Sequence, residues 1–380
     1  MDNMHLTPME LESMREILSA WQAAFPDMGV LALLPEAEKD RLPVLQAACR
    51  ELGVPLAGGI FPALVTESGF ISDGAWLLRL DHSMPAILIP ALNAGGGAAD
   101  RIADAIQPLL ASQADEVPTL YMLFDSQVPN IASVLEDLYL RLSNRVAYAG
   151  VNAGSESFQP MPCLFDNEGL VGDGVLCLLL SGMAGTVLQH GYTAPEQVMS
   201  ATSTKGNCIR QIDWRPAFDV YREIIRTAYG IELTRENFYQ YAVHFPVGIL
   251  RASAEVVVRI PVALTEDGSL FCVGEVPENS FLVLLKAPDV AGGHCIQDLA
   301  ASLGELNGAM LARPLLAFYC AGRRMHLGPS AVTELGELAL ATGAHPIAGA
   351  LSLGEIGSTH EWGYPMFHNA TLVCTPWGMP

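Results

Sequence analysis

The chain has 380 residues, 51% of them hydrophobic and only 16% charged, which predicts an interior-rich, layered fold of two domains or one large α/β unit. A net charge of −21 opposes polyphosphate and anionic lipid, so nucleic-acid and membrane binding are excluded from the expected functions. No apolar run reaches the roughly 18 residues of a membrane span, no basic-then-apolar leader is visible, and eight scattered cysteines without a CxxC pair predict reduced core thiols in a cytoplasmic protein.

In chain order, residues 1–27 read as an acidic amphipathic helix, opened by Thr7-Pro8 with Glu10. A pattern of strand, helix, strand with a small-residue turn, and return strand then appears three times. The first copy is "VLALLP" (30–35), a helix near 39–52, "VPLAGGIFPA" (54–63) and "GAWLLRL" (74–80). The second is "TLYMLFDS" (119–126), a helix near 130–143, "VAYAGVNAGSE" (146–156) and "GVLCLLL" (174–180). The third is "PLLAFYCAG" (314–322), a helix near 330–342, "HPIAGALSLGE" (345–355) and "NATLVCT" (369–375). "AILIPALNAGG" (86–96) precedes the second copy as "LVLLKAPDVAGG" (282–293) precedes the third, each followed by a helix. Aligning Gly95-Gly96 with Gly292-Gly293, and Ala149-Gly150 with Ala348-Gly349, gives nearly one offset, which argues for an internal duplication. Between the copies, 183–280 predicts a hairpin at "QVMSATSTKGNCIRQID", a helix at "RPAFDVYREIIRTAYG" and a second hairpin around Glu266-Asp267-Gly268. The expected fold is α/β: two related lobes with mixed parallel and antiparallel sheets flanked by helices.

Several stretches together resemble one family. They are "GVPLAGGIFPAL" (53–64), "QHGYTAPEQVMSATSTKGNCIRQIDWRPAFDVYRE" (189–223), "VVVRIPVALTEDGSLFCVGEVPENS" (256–280), "LLAFYCAGRRMHLG" (315–328) and the Gly-Glu-Ile-Gly turn with His-Asn-x-Thr near the end. Their order and spacing resemble the FIST proteins, with a FIST N-terminal domain at 28–215 and a FIST C-terminal domain at 216–380. The resemblance implies a free-standing cytoplasmic sensor of a small ligand in signal transduction. It implies either a receptor for a metabolite such as an amino acid, or the branch that holds haem b non-covalently, senses nitric oxide and acts on a partner histidine kinase. The first copy departs from the family pattern, because "AGGIFPALV" carries no carboxylate at its turn.

The residues themselves leave three readings open. Arg323, where a strand leaves the sheet, and Glu355, between Gly354 and Gly357, would suit the two charged ends of an amino acid, or would simply pair with each other. Glu156 in "NAGSES" is the second copy's approximation of Glu355. His368 and Asn369 precede the last strand and are expected near the ligand or as polar stitching. For haem, His190 is the expected axial ligand and His294 the runner-up; no CxxCH attachment motif exists. The third reading is an enzyme of acyl or amide chemistry using Cys320 or Glu355, although a thiol inside an apolar strand is usually inert packing. The expectation is a sensor without catalysis. No metal motif is present, and Gly95-Gly96-Gly97 lacks the Lys-Ser/Thr ending of a phosphate loop.

Overall fold

The computed structural model describes residues 2–82, 86–92, 97–111, 117–180, 186–252, 255–286, 288, 294–357 and 364–378. Three stretches of chain build the same unit: an edge strand, a helix, a strand, a helix, a parallel strand, a short arm and a return strand. Unit 1 runs through Met4–Thr7, Leu11–Ala24, Gly29–Pro35, Leu42–Leu52, Leu56–Phe61, the arm Leu64–Thr66 with Gly69–Ile71, and Ala75–Leu80. Unit 2 runs through Ala86–Ile89, Ala98–Leu110, Thr119–Asp125, Ile131–Leu142, Ala147–Ala153, the arm Leu164–Asp166 with Leu170–Val171, and Val175–Leu180. Unit 3 runs through Val187–Gln189, Cys295–Asn307, Leu315–Cys320, Ser330–Thr342, Ile347–Ser352, the arm Glu355–Gly357 with Met366–His368, and Leu372–Pro376. It adds the short helix Ala321–Leu327.

The middle strands are continuous apolar runs because both of their faces are covered. One face meets the other units in a shared core, where Phe61 and Phe318 lie 5.5 Å apart and Tyr121 and Phe318 lie 6.5 Å apart. The opposite face is sealed by helices, as Ile102, Leu135 and Leu138 seal Met122 and Phe124 in unit 2. In each parallel pair one glycine sits opposite a residue of the neighbouring strand: Gly58 opposite Ala32, Gly150 opposite Met122, Gly349 opposite Ala317. A Cβ at any of the three would overlap the carbonyl oxygen of that partner, so this position is glycine in every copy.

The arms do not join their own sheets. The arm of unit 1 pairs with Ile347–Ser352 of unit 3, the arm of unit 2 with Leu56–Phe61 of unit 1, and the arm of unit 3 with Ala147–Ala153 of unit 2. The three six-stranded sheets are thereby interlocked in a ring.

Residues between Gln189 and Cys295 form an insertion in unit 3, with two smaller antiparallel sheets. The expected hairpins are there, Ser203–Lys205 with Cys208–Ile212 and Pro261–Leu264 with Leu270–Cys272. The expected helix is Ala217–Tyr229, ending on Gly230 at φ 68°. The run 256–264 is split at Pro261, which sends Val256–Arg259 to one small sheet and Pro261–Leu264 to the other.

The α/β reading with mixed sheets holds, and two details differ from expectation. The segment 1–27 is part of unit 1: Met4–Thr7 forms its edge strand and Met14, Leu18 and Trp21 are buried in its core. Residues 282–284 are no counterpart of 86–89. They pair inside the insertion, and Val187–Gln189 takes the edge of the third sheet instead. Gly95-Gly96 and Gly292-Gly293, used for that alignment, lie outside the described residues.

Candidate functional site

The C-terminal tips of the parallel strands in unit 3 gather the polar residues. Cys320 closes one strand and lies opposite Ser352, which closes the other. The chain turns at Leu353-Gly354 and returns with Glu355, whose carboxylate is buried and pairs with no cation among the described residues. Ser352 Oγ donates to Glu355 Oε1 at 2.5 Å, and Thr371 Oγ1 donates to Oε2 at 2.7 Å. Burial pushes the Glu355 carboxyl up to about 7, and the hydroxyl donors hold it back only partly. The Ala370 N–H donates to Cys320 Sγ at 3.1 Å. Burial, and then the Glu355 carboxyl, push that thiol well above its ordinary range, so Cys320 presents a thiol and no ready thiolate nucleophile.

Cys320 also lines a narrow cleft with room for about 40 Å³, below the roughly 300–1,000 Å³ of small-molecule sites, so a ligand would have to widen it. It is lined by Cys320, Ala321, Gly322, Met325 and Asn369 of unit 3 and by Tyr239, Ile260, Val262 and Val273 of the insertion. Glu156 and Phe158 of unit 2 complete the lining, in which Tyr239 and Met325 are exposed. The cleft is therefore mostly apolar with a few polar groups, at the strand-tip location that α/β sheets use for ligands.

The expected clamp of Arg323 and Glu355 does not form. Arg323 is fully buried and turns away to Glu334, donating from Nε to Oε2 at 2.8 Å and from Nη2 to Oε1 at 2.5 Å. Its Nη1 donates to the His190 carbonyl at 2.6 Å and to the Ala370 carbonyl at 3.2 Å, and the Tyr319 hydroxyl donates to Glu334 at 2.6 Å. This guanidinium is saturated and acts as an internal brace. The exposed pair is one residue along: Arg324 Nη2 reaches Glu156 Oε1 at 2.6 Å and Oε2 at 2.8 Å, both side chains about one-third exposed.

Glu156 is no structural copy of Glu355 either. Leu164 of unit 2 and Leu64 of unit 1 hold that arm position. Gly354 makes room, since a Cβ there would strike the Phe367 ring. Asn369 stitches two segments, accepting from the Ile260 N–H at 3.3 Å and donating to the His368 carbonyl at 2.9 Å, while still lining the cleft. His368 faces Glu355 across the arm, is buried, and has no partner on either ring nitrogen among the described residues. Burial, then His190, Arg259 and Arg251, hold it neutral.

The residues do not fit haem as expected. The Tyr192 N–H donates to His190 Nδ1 at 3.0 Å, and the ring also bonds the Val256 backbone, so neither nitrogen faces an open position. Burial and Arg323 hold His190 down at about 4. His294 is exposed at the start of the helix Cys295–Asn307, and no histidine lines the cleft. Among the described residues no group of three or more His, Cys, Asp or Glu could hold a metal ion, and no helix is long and apolar enough to cross a membrane.

Glu334 and Arg324 escaped the reading of the sequence. Glu334 left one trace: it stands on the apolar stripe of Ala331, Leu335 and Leu338, where an acid needs a buried partner. Models of protein families match the chain in two places, a FIST N domain over residues 14–215 and a FIST C domain over residues 217–358. No curated protein matches it. The chain thus belongs to the FIST family, whose domains are small-ligand-binding sensors in signal transduction.

Proposed function

We propose that the chain senses an amino acid with an apolar side chain, or a dipolar metabolite of the same shape, held in the cleft between the two FIST domains. The Glu156–Arg324 pair carries this reading. It joins the FIST N loop to the FIST C helix beside the cleft, which Glu156 lines, and its two charges match the ammonium and carboxylate of such a ligand. The apolar part of the ligand would lie against Ile260, Val262, Val273 and Leu353. Ligand charges would replace the direct pair with two ligand contacts and reset the spacing of loop and helix. The output passes to a separate protein, for which a sensor histidine kinase is the proposed partner.

The test is a thermal-shift screen with the natural amino acids. A ligand at a hundred times its Kd raises stability by about 2.7 kcal/mol, a readily visible rise in Tm. The shift should vanish in Glu156→Gln while the unliganded Tm stays nearly unchanged. Absence of a shift with every amino acid would count against the reading.

A further inference from the structure

The cleft walls are joined a second time, by two histidines that no ligand role has used. His244 follows the helix Phe238–Ala242, whose Tyr239 lines the cleft together with Val243. His326 lies in the helix Ala321–Leu327, which supplies Ala321, Gly322 and Met325 to the lining from unit 3. The two Nδ1 atoms are 2.8 Å apart and the ring centroids 5.0 Å apart. A neutral imidazole has one N–H and one lone pair, so one ring donates and the other accepts. The pair can keep its bond with one added proton. With two, both Nδ1 atoms carry hydrogen and no acceptor remains.

Among the described residues the surroundings offset those charges only weakly, since Glu334 favours a charged His326 while Arg323 opposes it. Arg323 on the helix of His326 and Glu334 on Ser330–Thr342 are the nearby charged groups, and they are bound to each other. The Tyr192 ring packs 6.1 Å from His326. In the other charged pair of the region, Arg324 Nη2 alone reaches both carboxylate oxygens of Glu156. Burial, then His244 and Arg323, push His326 down to about 4, and burial pushes His244 down as well. Between the helices Phe238–Ala242 and Ala321–Leu327 themselves, the other bond among the described residues is the weak one from the Tyr239 hydroxyl to Met325 Sδ at 3.8 Å. The insertion is tied to unit 3 further in, by the Ile260 N–H to Asn369 and by Arg259 to the Phe367 carbonyl.

We propose that His244 and His326 form an acid-released clasp on the cleft: proton uptake by both rings parts the walls and opens the ligand site. The proposal rests on the cleft being that site. Because the closed form lowers the affinity of both rings for protons, closure is fully favoured above the ordinary histidine value of 6.5 and is lost as pH falls from 6.5 toward about 4.

Hydrogen exchange tests this without any ligand, so the clasp and the ligand reading fail separately. Exchange of residues 238–246 and 321–328 is followed by mass spectrometry at pH 7.5 and 5.5, corrected for intrinsic rates and referred to the strand Thr119–Asp125. Protection of both segments should fall about tenfold at pH 5.5 relative to that strand. In His326→Phe, which keeps a ring against Tyr192, or in His244→Gln should the first variant not fold, protection should be low at both pH values. Unchanged protection at pH 5.5 in the native chain, or an equal pH-dependent loss in a folded variant, would overturn the proposal.

Discussion

Units 1 and 3 end their parallel strands in the same geometry with opposite chemistry. Where unit 3 has Cys320, Ser352 and Glu355, unit 1 has Pro35, Phe61 and Leu64 at the paired positions. Unit 2 lies between, with Asp125, Ala153 and Leu164, and its Asp125 carboxylate is spent on the backbone N–H groups of Gln127 and Asp173. The scaffold thus closes with an apolar tip or a loop staple. A buried thiol, hydroxyl and carboxyl at the third tip are not demanded by the fold, and such local departures mark functional positions. That the cleft opens at this tip agrees with that rule.

The largest expected effect breaks the brace that unit 3 needs behind its polar tip. Glu334→Ala strands the buried Arg323 guanidinium and should cost about 3–5 kcal/mol in denaturant unfolding. Next comes the carboxyl that distinguishes the two tips. Glu355 binds its proton more tightly in the folded state, so its contribution is fully present below 4.5 and is lost as pH rises through about 7. Relative to Glu355→Gln, the native chain should lose on the order of 3 kcal/mol between pH 4.5 and 8. The buried histidines act in the opposite sense in both proteins, so the difference between the two is the quantity to measure.

A smaller effect tests whether the units are equivalent at all. Gly58→Ala, Gly150→Ala and Gly349→Ala should each cost about 1–3 kcal/mol or more, because each Cβ meets a backbone carbonyl in the same register. A harmless substitution at one of them would break the equivalence. Smallest is Glu156→Gln in the cleft lining, which should change stability by less than about 1 kcal/mol, as expected for a half-exposed pair, while abolishing the ligand-induced Tm shift.

The repeated strands and helices were legible because apolar runs bounded by glycine and proline carry the period of a buried α/β unit, and "AG" recurs where the backbone packs closest. Strand exchange was not legible: "LVT", "LFD" and "EIG" are too short to declare a partner, and the pairing of Val65 with Gly349 spans most of the chain. In the site, Cys320, Glu355, Asn369 and Glu156 were found as chemistry-bearing residues at strand tips. Their partners were not, since nothing in local spacing sets Arg323 against Glu334 or His244 against His326. The walls of the cleft come from the insertion, whose apolar Ile260 and Val262 look like ordinary strand residues until the fold brings them to the tip.

The exchanged arms have a consequence for how the molecule comes into being. A nascent chain that has emitted only the FIST N domain holds Leu64–Ile71 as an arm without its acceptor, since Ile347–Ser352 is not yet made, and presents Ala147–Ala153 as an open sheet edge awaiting Glu355–Gly357. Ring closure must wait for the last hundred residues, a high-contact-order step that slows folding. Once closed, the two family domains share sheets, so heating should melt them in one transition, and a cut at their boundary should yield two sticky halves in place of two domains.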